Sequence, residues 1–484
     1  MNPSLASLVC ACIVAGLFYL DRGNTIRTSK ALMLPVIWTG IVESRPVSAW
    51  LGVSPTGGNV QLDGSPVDAA IFGVLLAAAI GVLIHRSSRT RTLLAANWPI
   101  LIYFFYCLIS LAWSYHPDIS FKRWIKAIGD LTMVLIVATD PQPRAALERL
   151  FSRTGFLLLP TSLLFIKYYG NLGRGYTPEG DPMNTGVTTN KNMLGVTLLV
   201  ISLGTLWHVL SLLRAKSQPN RYRHLLAQGT LLAFGVALFG MAHSATSIAC
   251  FILGGGLILA ARSRAIRIRP ARVHMLCLAI FVIGGLAFLA GGQGVVAHVL
   301  GRASNLSGRT EIWAAVIPAV PNPVVGAGFE SFWISPCVRE FWRRLVGWWY
   351  PEGQNEAHNG YIEVYLNLGW IGLCLIALFL IRGYRSAGKA FRRDPELGGL
   401  MLAYIIVAAA YSITEAGFRM LDPIWIFLLL AVVSATGINA GLFGGKSPKI
   451  PPSRGGAARR TPASTKLIPE GQTIYSARRR LNPI

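Results

Sequence analysis

Long apolar runs separated by short polar connectors fill most of the chain. A helix needs about 20 predominantly apolar residues to cross a bilayer. Runs of that order begin with Ser4–Leu20 and continue at roughly 31–51, 66–84, 95–113, 121–138, 150–167, 193–212, 225–241, 245–261, 273–290, 361–381, 398–415 and 421–440. The pattern predicts an all-α polytopic membrane protein of about 12–13 transmembrane helices. Ser4–Leu20 lacks a basic n-region and a small-residue cleavage site, so it is expected to stay as an anchor helix. Glu43, Arg45 and Pro46 interrupt the second run, and the His243–Ser247 stretch marks either two short helices or one broken helix. The segment 291–360 breaks the rhythm. It is long for a loop, yet it carries Trp313, Phe329, Phe332, Trp333, Phe341, Trp342, Trp348, Trp349 and Tyr350, too many aromatics for a disordered tract. A large, partly helical outer loop is expected there. Residues 1–290 then hold helices 1–10, 361–440 the C-terminal helices and 441–484 a tail.

Charge gives the runs a direction. Basic residues gather in alternate connections: Arg22 to Lys30, Arg86 to Arg91, Arg144 and Arg149, Arg214 to Arg223, Arg262 to Arg272, Arg382 to Arg393, and the tail. These hold 31 of the 45 Lys and Arg residues, while the other connections carry acids such as Asp63, Asp118, Glu330, Glu356, Glu415 and Asp422. Basic residues favour the cytoplasmic side, which puts 291–360 outside. Only 14% of residues are charged and 53% are hydrophobic; soluble domains carry about 25% charged residues. The net charge of +24 is therefore read as topological, with no nucleic-acid partner. The Pro-, Ser- and Arg-rich tail has no apolar period and is expected to be disordered, a solvated topogenic segment rather than a lipid-binding one. Six of the seven cysteines lie in apolar runs, leaving Cys337 alone in the outer loop, which excludes a disulfide within it.

The candidate chemistry is cationic and outward. Arg309 stands in Ser307-Gly-Arg-Thr-Glu-Ile-Trp313, where a short helix is expected to start and to end before Pro321. A guanidinium at a helix start suits a diphosphate, through forked donors and the positive end of the helix. Pairing with Glu311 or a neighbour, as a structural bridge, explains the residues equally well. His358 immediately precedes a spanning run, where it is either a general base at headgroup level or a capping residue. Asn359 and Glu363 are four apart and share a helix face; Glu363 would orient His358 or bind an acceptor hydroxyl. No second His or carboxylate lies at an H-x-x-x-H spacing, so no metal is expected. Lys167–Asn192 adds Arg174, Lys191 and Asn192 to the outer side, Lys191 as either a functional cation or a snorkelling flank. Arg123 and Lys126, on the outer half of a span, are expected to face a cavity or each other, and Asp130 to pair with a lysine.

Three blocks carry a family resemblance: Ser307–Trp313 with Val325-Gly-Ala-Gly-Phe329, His358–Gly372, and Thr185–Gly195. They resemble the O-antigen ligase and O-antigen/exopolysaccharide polymerase superfamily. Ala112–Lys126 looks most like the exopolysaccharide-polymerase branch, and Ser44–Trp50 adds weaker support. The resemblance implies a GT-C-like inner-membrane glycosyltransferase with its active site facing the periplasm. Its donor would be an undecaprenyl-diphosphate-linked glycan and its acceptor a glycan or lipid A core. No cofactor, nucleotide sugar or essential metal is implied, and a chain-length regulator and a flippase would be admissible partners. In family terms Arg309 holds the diphosphate, with Arg174 as the second arginine and Lys191 beside it. His358 would deprotonate or orient the acceptor, supported by Glu311, Asn359, Glu363 and Asn192. Many relatives place a histidine where this chain has Asn190. Polymerase is favoured over ligase. A lipid-linked oligosaccharide flippase or transporter, or a non-catalytic scaffold of an assembly complex, are the competing readings; concentration of charge in outer loops rather than at the midplane weighs against transport.

Overall fold

In the computed structural model, the described residues are 2–23, 28–53, 64–177, 180–215, 220–264, 266, 275, 307–335, 338 and 356–443. The expected run at 273–290 and the expected disordered tail lie outside these, apart from Met275 and the first residues of the tail.

The described chain is α-helical. Its principal helices are α1 (Pro3–Leu20), α2 (Met33–Val42), α3 (Pro66–His85), α4 (Ser87–Ala96), α5 (Trp98–Ile109), α6 (Pro117–Ala138) and α7 (Pro143–Tyr168). A two-stranded antiparallel hairpin follows, β1 (Arg174–Tyr176) on β2 (Pro182–Asn184). Then come α8 (Lys191–Arg214), α9 (Arg221–Ala242), α10 (Ala245–Arg262), α11 (Ser307–Val316), α12 (Gly360–Arg393), α13 (Pro395–Tyr411) and α14 (Pro423–Asn439). Among the described residues seven helices are long and apolar enough to cross a membrane, or eight if α4 and the α5 region, bent by 84°, form one span. α2, α13 and α14 are apolar but shorter, and α6 carries Lys122, Arg123, Lys126 and Asp130 within its apolar sequence. The protein is thus an all-α polytopic membrane protein whose rods are less uniform than the apolar runs suggest.

Local chemistry sets the helix starts. Ser65 caps α3 ahead of Pro66, Asp394 caps α13 ahead of Pro395, and Asp422 caps α14 ahead of Pro423. In each, a side-chain oxygen accepts an otherwise unpaired N–H, and proline occupies the first turn, where its missing donor costs nothing. α2 ends at Val42, just before the Glu43–Pro46 interruption. Around His243 (φ +49°) the chain forms two separate helices, α9 and α10.

α13 and α14 form the centre, buried along nearly their whole length. α13 packs against α10, α12 and α14, and Tyr404, Phe151 and Phe427 stack within 6.0 Å of one another. Contacts separate the two ends of the bundle by charge. At one end Arg86 and Arg89 meet Asp140, Arg144 spans Glu148, Asp394 and Glu396, and Arg214 and Arg262 face Glu396. Those arginines belong to the alternate basic connections. At the opposite end the starts of α8, α10 and α12 meet the connection that follows α13, through Asn192 on Glu415, Thr246 on Thr414 and Gly360 on Ser412.

A second, small apolar cluster sits at this other end. Val316, Ala327, Phe332, Trp333, Val338, Ala357 and Leu366 form it, so the described parts of the 291–360 segment are folded. Gly369 (φ +62°) breaks α12, and the Val325–Phe329 strip lies directly on the break. Ala327 N and Gly328 N donate to the carbonyls of Leu366 and Asn367, while Trp370 N and Ile371 N donate to those of Pro323 and Val324. A Cβ at Gly326 would lie 2.4 Å from the Asn367 carbonyl carbon. Both glycine-bearing blocks therefore serve one backbone-to-backbone joint.

Candidate active site

The Ser412–Asp422 connection between α13 and α14 is the floor on which the candidate residues converge. Arg309, on the short helix α11, donates through Nη1 to the Thr414 carbonyl and through Nη2 to Glu415 Oε1 at 3.1 Å. α11 starts at Ser307 and ends at Val316, as the sequence predicts. The partner of Arg309 is Glu415; the Glu311 side chain lies outside the described residues.

His358 is held from several sides. Asn359 caps α12 by accepting from Tyr361 N and Ile362 N, and its Nδ2 donates to the Ile413 carbonyl at 2.9 Å. Gly360 N donates to the carbonyls of Ser412 and Glu415. Trp313, on the same helix as Arg309, donates through Nε1 to the Ala357 carbonyl at 2.7 Å. Glu363 is buried and accepts from Ala357 N and from Trp333 Nε1 at 2.9 Å. Its hydrogen bonds shape the backbone just before His358. His358 itself adopts φ +49°, a left-handed conformation uncommon outside glycine.

The ring is clasped by two carboxylates. Nδ1 lies 3.0 Å from Glu356 Oε1 and 3.4 Å from Glu415 Oε2. Asn192 Nδ2 donates to Glu415 Oε2 at 3.4 Å, bringing the start of α8 into the group. Beyond Glu356 the signs keep alternating. Arg419 lies 3.6 Å from Glu356 and 3.4 Å from Glu330, and Arg123 on α6 donates to the Glu330 carbonyl. Glu415 and Glu330 are almost fully buried, and charges so placed need close partners. Burial by itself would lower the His358 pKa, but the two carboxylates outweigh it and raise it to about 9. Burial pushes Glu356 up, but His358, Arg419 and Arg309 more than offset it and hold its carboxyl below the usual range. Burial depresses Arg419, but Glu330, Glu363 and Glu356 raise it further.

Glu356, His358 and Glu415 place their ligand atoms within 4.8 Å of one another, close enough to hold a metal ion. Sequence spacing could not show this set, because Glu415 comes from a different connection. Arg309 and Arg419 already supply positive charge to both carboxylates.

Other expected residues lie elsewhere. Arg174, exposed on β1, donates through Nε to the Ile166 carbonyl at 2.8 Å. No contact among the described residues ties it to Arg309 or His358. Lys191 opens α8 and makes no ion pair with the cluster among the described residues. Asn190, where many relatives carry histidine, caps α8 by accepting from Met193 N at 2.8 Å. Asp130 pairs not with a lysine but with Trp38 Nε1 and Leu421 N, both at 2.9 Å, because its buried carboxylate meets the neighbouring indole and the floor loop. Glu415, Glu356, Glu330 and Arg419 were not among the sequence-derived site residues. For Glu415 and Arg419 the one signal was a short polar connection, Ser412–Asp422, between two highly apolar helices; Glu330 and Glu356 stood out only as acids of the outer segment.

Comparison with known proteins bears on the same region. Residues 229–377 match the O-Antigen ligase family, a span that contains Arg309, His358 and the Gly326–Gly369 joint but not Glu415 or Arg419. The chain is also 28% identical over 311 residues to the exopolysaccharide production protein ExoQ of Rhizobium meliloti (strain 1021), covering 62% of this chain and 67% of that protein.

Proposed function

Taking the chain as a multi-pass membrane enzyme of the O-antigen ligase and polymerase superfamily, of the type that assembles polysaccharide, we propose that it transfers a glycan from undecaprenyl diphosphate to a sugar hydroxyl. The acceptor is a second lipid-linked repeat in the favoured polymerase reading and a lipid A core in the ligase reading. The site faces the periplasm from the inner membrane, since the basic connections gather at the opposite end. The observation that carries this reading is the convergence of Arg309, Glu415 and His358, from three separate segments, at the acidic end of the bundle.

Displacing a lipid diphosphate from an anomeric carbon builds negative charge on the leaving group, and a preorganised cation stabilises it. Arg309 supplies that cation. Glu415 holds its guanidinium in place and is the partner a diphosphate displaces. With Nδ1 of His358 facing the two carboxylates, Nε2 is the nitrogen left to orient the acceptor hydroxyl and take its proton, a dyad geometry in which the carboxylates stabilise the imidazolium formed. Arg419 and Glu330 keep Glu356 in position.

Arg309→Lys tests the diphosphate role. It keeps the charge but loses the two-pronged planar contact, so the variant is expected to accumulate in the membrane at normal levels and lose most glycan transfer. Full transfer by the lysine variant overturns the role.

A further inference from the structure

We propose that Asp130, buried on α6, is a positioning residue for transfer: it fixes the floor loop through Leu421 and so sets where Arg419 stands against Glu356 and His358. The inference rests on the transferase reading of that site and adds to it a residue that acts through others.

Both oxygens of Asp130 meet fixed donors. Oδ1 accepts from Trp38 Nε1 and Oδ2 from Leu421 N, each at 2.9 Å. Asp130 and Trp38 are fully buried, and the indole is itself held in place. A Cβ at Gly129 would lie 2.2 Å from its Cη2, so glycine lets the ring lie on α6, and Phe72 meets it edge-on at 4.6 Å. No cation pairs with Asp130 among the described residues. A carboxylate is a costly group to bury in a membrane helix merely to hold neighbours together. What it offers here is two acceptors on one carbon, for two N–H groups from distant segments.

The backbone that it holds is strained. Leu421 has φ +52°, in the left-handed region. Such residues persist where their surroundings over-determine them, and they cluster at active sites. Glu330 has the same φ of +52° and His358 has +49°. α6 touches two of these three. Arg123 Nη1 donates to the Glu330 carbonyl, and Asp130, about two turns further along the same helix face, accepts from Leu421 N.

Arg419 lies between these two anchors. It is 3.4 Å from Glu330 and 3.6 Å from Glu356, whose carboxylate is 3.0 Å from His358 Nδ1. The opposite end of the floor is fixed separately, by Gly360 N on the Ser412 and Glu415 carbonyls and Asn359 Nδ2 on that of Ile413. Asp422 is occupied in capping α14 through Ile424 N. The Asp130 bond thus ties the Arg419 end of the floor to α6.

The test compares purified full-length variants in nanodiscs. Asparagine has one acceptor oxygen and turns an N–H toward either Leu421 N or the indole. Asp130→Asn is therefore expected to lower kcat about 10- to 100-fold, as a misplacement of about 1 Å does, with donor and acceptor KM unchanged. Trp38→Phe keeps the Leu421 bond and is expected to lose less. In Trp38→Phe/Asp130→Asn the competing indole donor is gone, and the amide oxygen can accept from Leu421 N. This double variant is expected to transfer faster than Asp130→Asn although its Tm does not recover. Asp130→Ser, neutral and too short to reach Leu421 N, is expected to show the same loss of kcat and stands in where Asp130→Asn does not accumulate. A wild-type kcat for Asp130→Asn measured well below its Tm, a change confined to KM, or a double variant no faster than Asp130→Asn would each overturn the proposal. Hydrogen exchange separates the proposal from the transferase reading. Asp130→Asn is expected to speed exchange in 412–422 and 356–360, with α13 and α14 protected as in wild type. If the wild-type chain transfers no glycan, the transferase reading falls; this exchange pattern then upholds the positioning role, and its absence overturns it.

Discussion

His358 sits at a helix entrance, but what surrounds it sets it apart from a capping residue. Asn359 does the capping, and Glu356 and Glu415 hold the ring. Its pKa, raised from the ordinary histidine value to about 9, fixes a sign. The ring is protonated at neutral pH in the unloaded site, and the neutral form able to accept a proton grows as pH rises. kcat/KM is therefore expected to climb from neutral pH and level off above about 9. Any stability from the pairing is present at lower pH and lost as pH rises through the same value. Glu356→Gln removes one of the two groups that raise the pKa, so its activity limb should move to lower pH; a limb that stays in place would show that another group titrates. Arg309 and His358 were legible as isolated signals, each with a bland alternative. Glu415, which joins them, was not, because it lies far along the chain and a lone acid between spans is indistinguishable from a topological one.

Among elements, the joint between the Val325–Phe329 strip and the Gly369 break in α12 explains two blocks that read in the sequence only as a likeness. Gly326 (φ +73°) has the Asn367 backbone where a side chain would go, and Gly328 (φ +95°) has the Ser114 backbone. Gly326→Ala combines positive φ with a backbone clash that no rotamer change relieves. It is expected to cost about 2 kcal/mol or more, seen as a lower Tm of the purified protein; an unchanged Tm would mean the strip is not clamped. Most described helix positions followed from the apolar runs, and the structure adds the caps at Ser65, Asp394 and Asp422 that fix three of their starts. What did not follow was the break inside α12: Gly369 stands in an unbroken apolar run, and only the approach of a second backbone makes the break necessary. Asp130 shows the same limit, since its partners Trp38 and Leu421 come from distant parts of the chain.

For the whole molecule, charge separates two ends: arginines from the alternate connections meet Asp140, Asp394 and Glu396 at one, and the Arg309–Glu415–His358 group lies at the other. Reporter fusions after Arg393 are expected to read cytoplasmic and fusions near Ser331 periplasmic; a cytoplasmic reading at Ser331 would put the reacting groups on the wrong leaflet. The alternation of basic loops was plain in the sequence, because topogenic charge is a local count, whereas the site needed five segments brought together. The most direct measurement of the central claim is single-turnover glycan transfer by purified protein, with undecaprenyl diphosphate donor, a defined acceptor and a chelator, comparing wild type with His358→Asn and His358→Gln. If His358 takes the acceptor proton, both variants fold, bind donor and transfer about two orders of magnitude more slowly. Near-wild-type transfer by either variant, or a loss reversed by added zinc, would contradict it.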